Sequence, residues 1–306
     1  MKRIDILNDE GLVLRCARLH YERKFSQGEI SEELGMSQST VSRLLKKARA
    51  NGIVKFEIHY PRNNELEKAL QYHVPFLRFA RVHVGIPPQD DNIVSQALGV
   101  ESERFFEEHI KDRYKVGLSD GHTMYEFVKA LSPPYKSSYK SLRVYNLTAW
   151  ADSRFEPHER ADSLVFIWFH KRNEDKVHHI PFMPLHGYPH LRKLVESTYQ
   201  EMKDLNFIVT SVEHMEKGGT LDQLLTSLGF DSMALKNAGG VGYFAGHPIT
   251  QKGALPPEQL QGFQRLAYNV LPLERIAQLA ADPTRYVVLV AGGYNKQESI
   301  AAALQG

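Results

Sequence analysis

Residues 26–52 read SQGEISEELGMSQSTVSRLLKKARANG, and this stretch decides the front of the molecule. Ser26 and Glu29 have the spacing of a capping box, in which the serine hydroxyl accepts from a backbone N–H while the glutamate reaches back. Ile30 and Leu34 face inward on the short helix that follows. Gly35-Met36 makes a tight turn, and Ser37 caps a further helix, Gln38 to Ala50. On that helix Val41, Leu44, Leu45 and Ala48 recur at helical spacing and define a buried face. Asn51-Gly52 stops it, as glycine does past a helix C-terminus. The outer face keeps Gln38, Ser39, Ser42, Arg43, Lys46 and Arg49. From Ser37 to Gly52 there are four basic residues, Arg43, Lys46, Lys47 and Arg49, and no acid.

Upstream, Leu12, Val13, Cys16, Ala17 and Leu19 fit one apolar face of an opening helix that ends by Phe25. Downstream, Val54, Phe56 and Ile58 alternate with Lys55, Glu57 and His59, which predicts a strand with one wet face. Three short helices and then a strand are the pattern of a winged helix-turn-helix. Net charge over the 306 residues is only +2, so the basic stripe is local. That is what a small DNA-binding module joined to a different domain should show. The N-terminal part of such a second helix enters the major groove, which puts Gln38, Ser39 and Arg43 at base edges. Ser37, Thr40, Ser42, Lys46, Lys47 and Arg49 complete the expected contact face, with Thr40, Ser42, Lys46 and Lys47 on phosphates. A charged outer helix face is ordinarily just solvated. Here the ordered combination of capping box, turn, acid-free helix and strand outweighs that reading.

Asn63 to Val74 reads as a polar connecting helix, and the boundary falls near Pro61 to Asn64. This gives a DNA-binding domain over 1–60 and a second domain over 61–306. The second domain alternates candidate strands, Arg81–Gly85, Lys115–Leu118, Leu142–Leu147, Leu164–Phe169, Leu205–Thr210 and Tyr286–Ala291, with helices at Asn92–Asp112, Thr123–Leu131, Tyr188–Met202 and Lys296–Leu304. Such alternation predicts βαβ units and a mostly parallel sheet covered on both faces, an α/β fold. Ala151 to Gly187 follows no clear pattern.

Composition excludes several classes. No apolar run approaches the roughly 18 residues of a membrane span. Met1-Lys2-Arg3-Ile4-Asp5 turns acidic too early for a secretory signal, so a cytoplasmic location is expected. Cys16 is the only cysteine, which rules out a disulfide framework within one chain. His170, His178, His179, His186 and His190 cluster, but only His186 and His190 have a helical ligand spacing, and Pro189 intervenes. No metal and no cofactor is expected.

The chain resembles the SorC family of sugar-responsive transcriptional regulators. The resemblance is carried by Arg15-Cys16-Ala17-Arg18-Leu19-His20-Tyr21, by Phe25-Ser26-Gln27-Gly28-Glu29-Ile30, by Val41 to Arg49, and by Gly52-Ile53-Val54. It continues at three islands: Val116 to Met124, Ala238-Gly239-Gly240-Val241-Gly242, and Val290-Ala291-Gly292-Gly293 with Lys296 and Ile300 to Leu304. It implies a Rossmann-like α/β effector domain similar to sugar-phosphate isomerases and deaminases. It also implies an effector that is a sugar or phosphorylated sugar, and a homo-oligomer, dimer or tetramer, on double-stranded operator DNA. By the resemblance, Ser119, Gly121 and Thr123 hold the phosphate, Lys296 reaches it, and Gly239 and Gly240 belong to a glycine-rich effector-binding segment. The chain departs from the pattern at Tyr243, where an acid is expected, at Ser211-Val212-Glu213, where glycines are common, and at Asn146-Leu147-Thr148.

The residues support the same place independently. A strand ending near Leu118 and a helix opening near Gly121 form the strand-to-helix turn at which open α/β sheets bind ligands. Backbone N–H groups there attract anions, and Gly117 and Gly121 permit close approach. Ser119 and Thr123 add hydroxyls, and Asp120 either binds sugar hydroxyls or repels an anion. The alternative is a sugar-phosphate isomerase or deaminase carrying a helix-turn-helix. Asp120 and Glu213 are available as bases, but their spacing identifies no catalytic pair, and no enzyme is expected.

Overall fold

The computed structural model describes residues 9–54, 56, 59–131, 142–147, 176–178, 200–215, 222, 231–255 and 271–305. The chain divides into two compact units, Met1–His59 and Tyr60–Gly306.

The first unit is three helices, α1 (Glu10–Tyr21), α2 (Gln27–Leu34) and α3 (Gln38–Ala50). Its core is Val13, Cys16, Ala17, Leu19, Ile30, Val41, Leu44, Leu45 and Ala48, the positions that helical spacing points inward. Both arms of the capping box are made. Ser26 Oγ accepts from the Glu29 N–H at 3.2 Å, and Glu29 Oε2 accepts from the Ser26 N–H at 2.7 Å. Gly35 takes φ 61°, a left-handed turn that costs glycine little. It lets the Gly35 and Met36 N–H groups return to the carbonyls of Glu32 and Ser31. After α3 the Val54 N–H bonds back to the Ala48 carbonyl at 3.1 Å. No strand follows among the described residues. Lys55, Glu57 and Ile58, on which the expected wing depends, lie outside them.

The second unit opens with α4 (Asn64–His73) and α5 (Asp91–His109). Then come β1 (Lys115–Leu118), α6 (His122–Ala130), β2 (Arg143–Asn146), β3 (Lys176–His178), β4 (Phe207–Thr210) and β5 (Val212–His214). They are followed by α7 (Ser232–Asn237), β6 (Gly240–Phe244), β7 (His247–Thr250), β8 (Gly253–Ala254), α8 (Leu273–Ala281), β9 (Tyr286–Leu289) and α9 (Gln297–Ala303).

A five-stranded parallel sheet has the order β3-β2-β1-β4-β9. Both faces are covered, as parallel sheets require. Phe207 and Val209 join Phe106, Met124 and Phe127 on the side of α5 and α6. The alternate residue Ile208 joins Tyr145, Leu205, Ile276 and Leu279 on the other. The chain runs outward from β1 to β3, then returns with β4 beside β1, so the strand order reverses between β1 and β4.

One expectation needs correction, and one sheet was not expected. Arg81–Gly85 does not join the sheet. It makes one antiparallel bridge, Arg62 with His83, flanked by Asn63 N–H to Val82 carbonyl at 2.8 Å and Val84 N–H to Pro61 carbonyl at 2.9 Å. The Val82 N–H is also taken by the buried Glu67 carboxylate at 3.0 Å, so the segment spends its backbone groups on the linker. The second finding is an antiparallel sheet, β5-β6-β7-β8, that strand alternation did not announce. Its central hairpin pairs Phe244 with His247 through Ala245-Gly246, both at positive φ, 48° and 90°. A two-residue turn of this hand ordinarily advertises itself with Asn-Gly or Asp-Gly; alanine in the first place mutes the signal.

The expected strand Leu164–Phe169 lies outside the described residues, as does the helix Tyr188–Met202 apart from its helical end at 200–202. Of the five clustered histidines only His178 is described, in β3. No helix among the described residues is long and apolar enough to cross a membrane.

Candidate functional site

The first candidate surface is the outer face of α3. Ser37 caps it, its Oγ accepting from the Thr40 N–H at 3.2 Å and lying 2.8 Å from Ser39 Oγ and 2.9 Å from Thr40 Oγ1. Three hydroxyls therefore gather at the positive end of the helix. Ser37, Gln38, Ser39, Arg43, Lys46 and Arg49 are exposed, and Thr40, Ser42 and Lys47 half-buried. The first turn carries no acid, and the last turn carries Lys47 and Arg49. Among the described residues Arg43, Lys46 and Arg49 form no ion pair, whereas Arg15 and Arg18 of α1 engage Glu33 and Glu22. All nine residues expected at DNA thus sit on or at the edge of one cationic face. The Gln38 amide lies against Gly28, where a Cβ would come within 3.1 Å of it, so α2 touches the far end of that side chain.

The second candidate is the crevice at the carboxyl ends of β1 and β4, the reversal point where open α/β sheets bind ligands. The Ser119 N–H donates to the Val209 carbonyl at 3.2 Å, carrying the ladder past the end of β1. Ser119 Oγ accepts from the Ser211 N–H at 3.3 Å, and Ser211 Oγ donates to the Asp120 carbonyl at 3.3 Å. Gly121 opens α6 at φ 104° with no side-chain cap. Thr123 Oγ1 lies 3.3 Å from Ser95 Oγ of α5, both buried. Asn146, at the end of β2, and Thr210, at the end of β4, are buried too. Polar side chains are costly to bury, yet here six gather at the strand ends: Ser95, Ser119, Thr123, Asn146, Thr210 and Ser211.

Four of the eight residues expected at the effector meet at this crevice: Ser119, Asp120, Gly121 and Thr123. Gly117 lies within β1, where a Cβ would stand 2.7 Å from Leu205 Cδ1 and 2.8 Å from Leu147 Cδ2, so a larger residue would push those leucine side chains aside. Gly239 is an exposed left-handed turn after α7, at φ 88°. Gly240 begins β6, where a Cβ would meet the Leu235 carbonyl oxygen at 2.8 Å and Met215 Sδ at 2.9 Å. Lys296, half-buried, ends a 3-10 turn (Tyr294–Lys296) that packs near β5. Sequence reasoning did not place Ser95 and Ser211 in the crevice. Ser211 directly follows an expected strand, which is a usable signal, whereas Ser95 lies mid-helix and carries none. Tyr243, opposite Glu213 in the β5–β6 register, is buried.

A helix-turn-helix ahead of a Rossmann-like α/β fold with a polar reversal-point crevice defines the class of molecule. Residues 12–51 match the family Sigma-70, region 4. The chain is 32% identical over 125 residues to the deoxyribonucleoside regulator of Bacillus subtilis (strain 168), covering 40% of this chain and 39% of that protein. It is 42% identical over 59 residues to the sorbitol operon regulator of Klebsiella pneumoniae, 19% of each chain. The matched stretches thus span about two fifths or less of these relatives. In fold the likeness is longer. The full-length sorbitol operon regulator SorC from Klebsiella pneumoniae superposes with TM-score 0.64 at 20% identity, over 97% of this chain and 93% of that one. The likeness to these regulators therefore holds in sequence over two fifths of the chain or less, and in fold along nearly all of it.

Proposed function

We propose that this chain is a DNA-binding transcriptional regulator whose affinity for operator duplex is set by a small sugar-type effector in the β1–β4 crevice. The observation that carries it is the exposed, acid-free, cationic face of α3 on a compact helix-turn-helix. Gln38, Ser39 and Arg43 read base edges; Ser37, Thr40, Ser42, Lys46, Lys47 and Arg49 hold phosphates and register. Gly117, Ser119, Asp120, Gly121, Thr123, Gly239, Gly240 and Lys296 build and hold the effector region. The names of the relatives, a deoxyribonucleoside and a sorbitol operon regulator, favour a sugar-like effector and a non-enzymatic role. The cytoplasm is the compartment that role requires.

Helix α5 supplies a route from effector to linker. Near its start, Ser95 touches Thr123, and the Val94 and Leu98 side chains pack against Gly292, 3.1 and 3.0 Å from where a Cβ would stand. Further along, Glu101 faces His83 at 3.5 Å, and His83 is bridged to Arg62. Arg62 in turn holds Glu67 of α4 through two hydrogen bonds, at 2.8 and 2.7 Å. A ligand that favours one position of α5 biases the linker by its difference in affinity for the two positions. Self-association fits the exposed side of α4: its buried residue is Glu67, while Leu66 and Tyr72 face solvent. A dimer would present two recognition helices to two half-sites.

The test is duplex binding by the full chain across a pool of genomic fragments, with and without free sugars and sugar monophosphates. Selection of a fragment class, with affinity that moves on adding one sugar, supports the reading. Turnover of a sugar phosphate without DNA binding would replace it with the enzyme.

A further inference from the structure

The crevice already contains an anion. A Cβ built on Gly121 would stand 2.9 Å from Glu213 Oε1 and 3.4 Å from Ser211 Oγ, so the Glu213 carboxylate lies against the residue that opens α6. Gly121 provides no side-chain cap of its own. The first N–H groups of a helix lack intrahelical acceptors and form a positive pole, which is where an incoming phosphate would settle. In this chain a carboxylate stands at that pole.

Its position is built in by pairing. Glu213 lies in β5, in register with Tyr243, between the pairs Val212 with Phe244 and His214 with Gly242. The residue before β5, Ser211, is tied to Ser119 and to the Asp120 carbonyl. Gly242 is held as tightly on the other strand, where a Cβ would meet Ser299 and the Glu213 carbonyl oxygen. Strand β5 therefore has little freedom to carry the carboxylate away. A phosphate placed at the head of α6 would face like charge at short range.

We propose that Glu213 takes the anion seat of α6 and sets the effector class: an uncharged sugar or polyol whose hydroxyls donate to Glu213, not a phosphorylated sugar. An ionised carboxylate is acceptor-only and receives two hydroxyls of a diol as readily as one. This rests on the reading of the crevice as the effector site.

The decisive probe is inorganic phosphate, titrated at constant ionic strength into the full chain and followed by thermal shift and calorimetry. The wild type should show no phosphate-dependent shift. Glu213→Gly should bind phosphate at least about tenfold more tightly than the wild type. Glu213→Gln, which keeps size and loses charge, should gain in the same direction and covers the case in which the glycine variant fails to fold. Across matched free sugars, polyols and their monophosphates, any wild-type ligand should be the uncharged member, and Glu213→Gly should lose it. Phosphate binding by the wild type, a monophosphate bound more tightly than its free sugar, or no gain in either variant would overturn the proposal. The regulator reading survives those results if DNA affinity still responds to the monophosphate. It fails separately if the chain does not bind duplex, and the phosphate titration decides the seat either way.

Discussion

The outer face of α3 and the crevice between β1 and β4 are assembled by opposite means. The first draws nine residues from thirteen consecutive positions, Ser37 to Arg49, and needs only one capped helix on a three-helix core. The second brings Ser95, Ser119 to Thr123, Asn146 and Thr210 to Glu213 together from four separate stops in the chain, and needs the whole parallel sheet to do so. The difference teaches that a surface carried on one helix can change residue by residue without disturbing its scaffold. A crevice stitched by hydroxyls between strand ends cannot.

Substitutions can break or sharpen this contrast. The largest effect is expected at the shared core of the first unit. Leu44→Ala empties a fully buried site and should cost about 2–5 kcal/mol in chemical denaturation, abolishing DNA binding with it. Next is the reading face itself. Arg43→Ala should cost about 1–3 kcal/mol on the preferred duplex and relax base choice at one position, with no change in melting temperature. Lys46→Ala should weaken every duplex alike and lower the slope of log affinity against log salt by about 1. Equal losses on all sequences for Arg43→Ala would remove it from base reading. Smaller again is Ser26→Ala, which deletes one arm of the capping box and should cost about 1 kcal/mol, read by the same denaturation.

The smallest effect is pH-dependent and belongs to the linker. Arg62, hydrogen-bonded to Glu67, holds that carboxyl below its ordinary range, with the Val82 N–H adding to it. A depressed folded value means stabilisation that is present above the ordinary carboxylate range and lost as pH falls through the depressed one. The melting temperature of the wild type should therefore exceed that of Glu67→Gln near neutrality, and the gap should close in acid. Arg62 is half exposed, so solvent screening keeps the gap small. A gap that widens in acid would contradict the assignment.

How far each region could be read before the structure follows from the same contrast. The core and cap of the first unit were legible because each signal was local: Ser26 with Glu29, Gly35, and the spacing of Val41, Leu44, Leu45 and Ala48. In the second unit the strands of the parallel sheet were legible where both faces are apolar, as at Phe207 to Thr210. The antiparallel sheet was not, because Ala245 stands where a hairpin ordinarily shows asparagine or aspartate. Arg81–Gly85 has the composition of a strand, but Glu67, fifteen residues before Val82, captures its backbone, and no pattern or period signals that contact. In the crevice, Ser119 and Gly121 were legible from the strand-to-helix turn. Ser95 was not, since only the packing of α5 on α6 brings it to Thr123.

The most direct test is the salt dependence of duplex binding by the full chain, measured by fluorescence anisotropy for the wild type and for Arg43→Ala/Lys46→Ala/Arg49→Ala. The wild type should bind at low salt with a linear log–log dependence, and the triple variant should lose about 2–3 units of slope while keeping its melting temperature. A wild type with no affinity for duplex at low salt, or a triple variant that binds as the wild type does, would contradict the account.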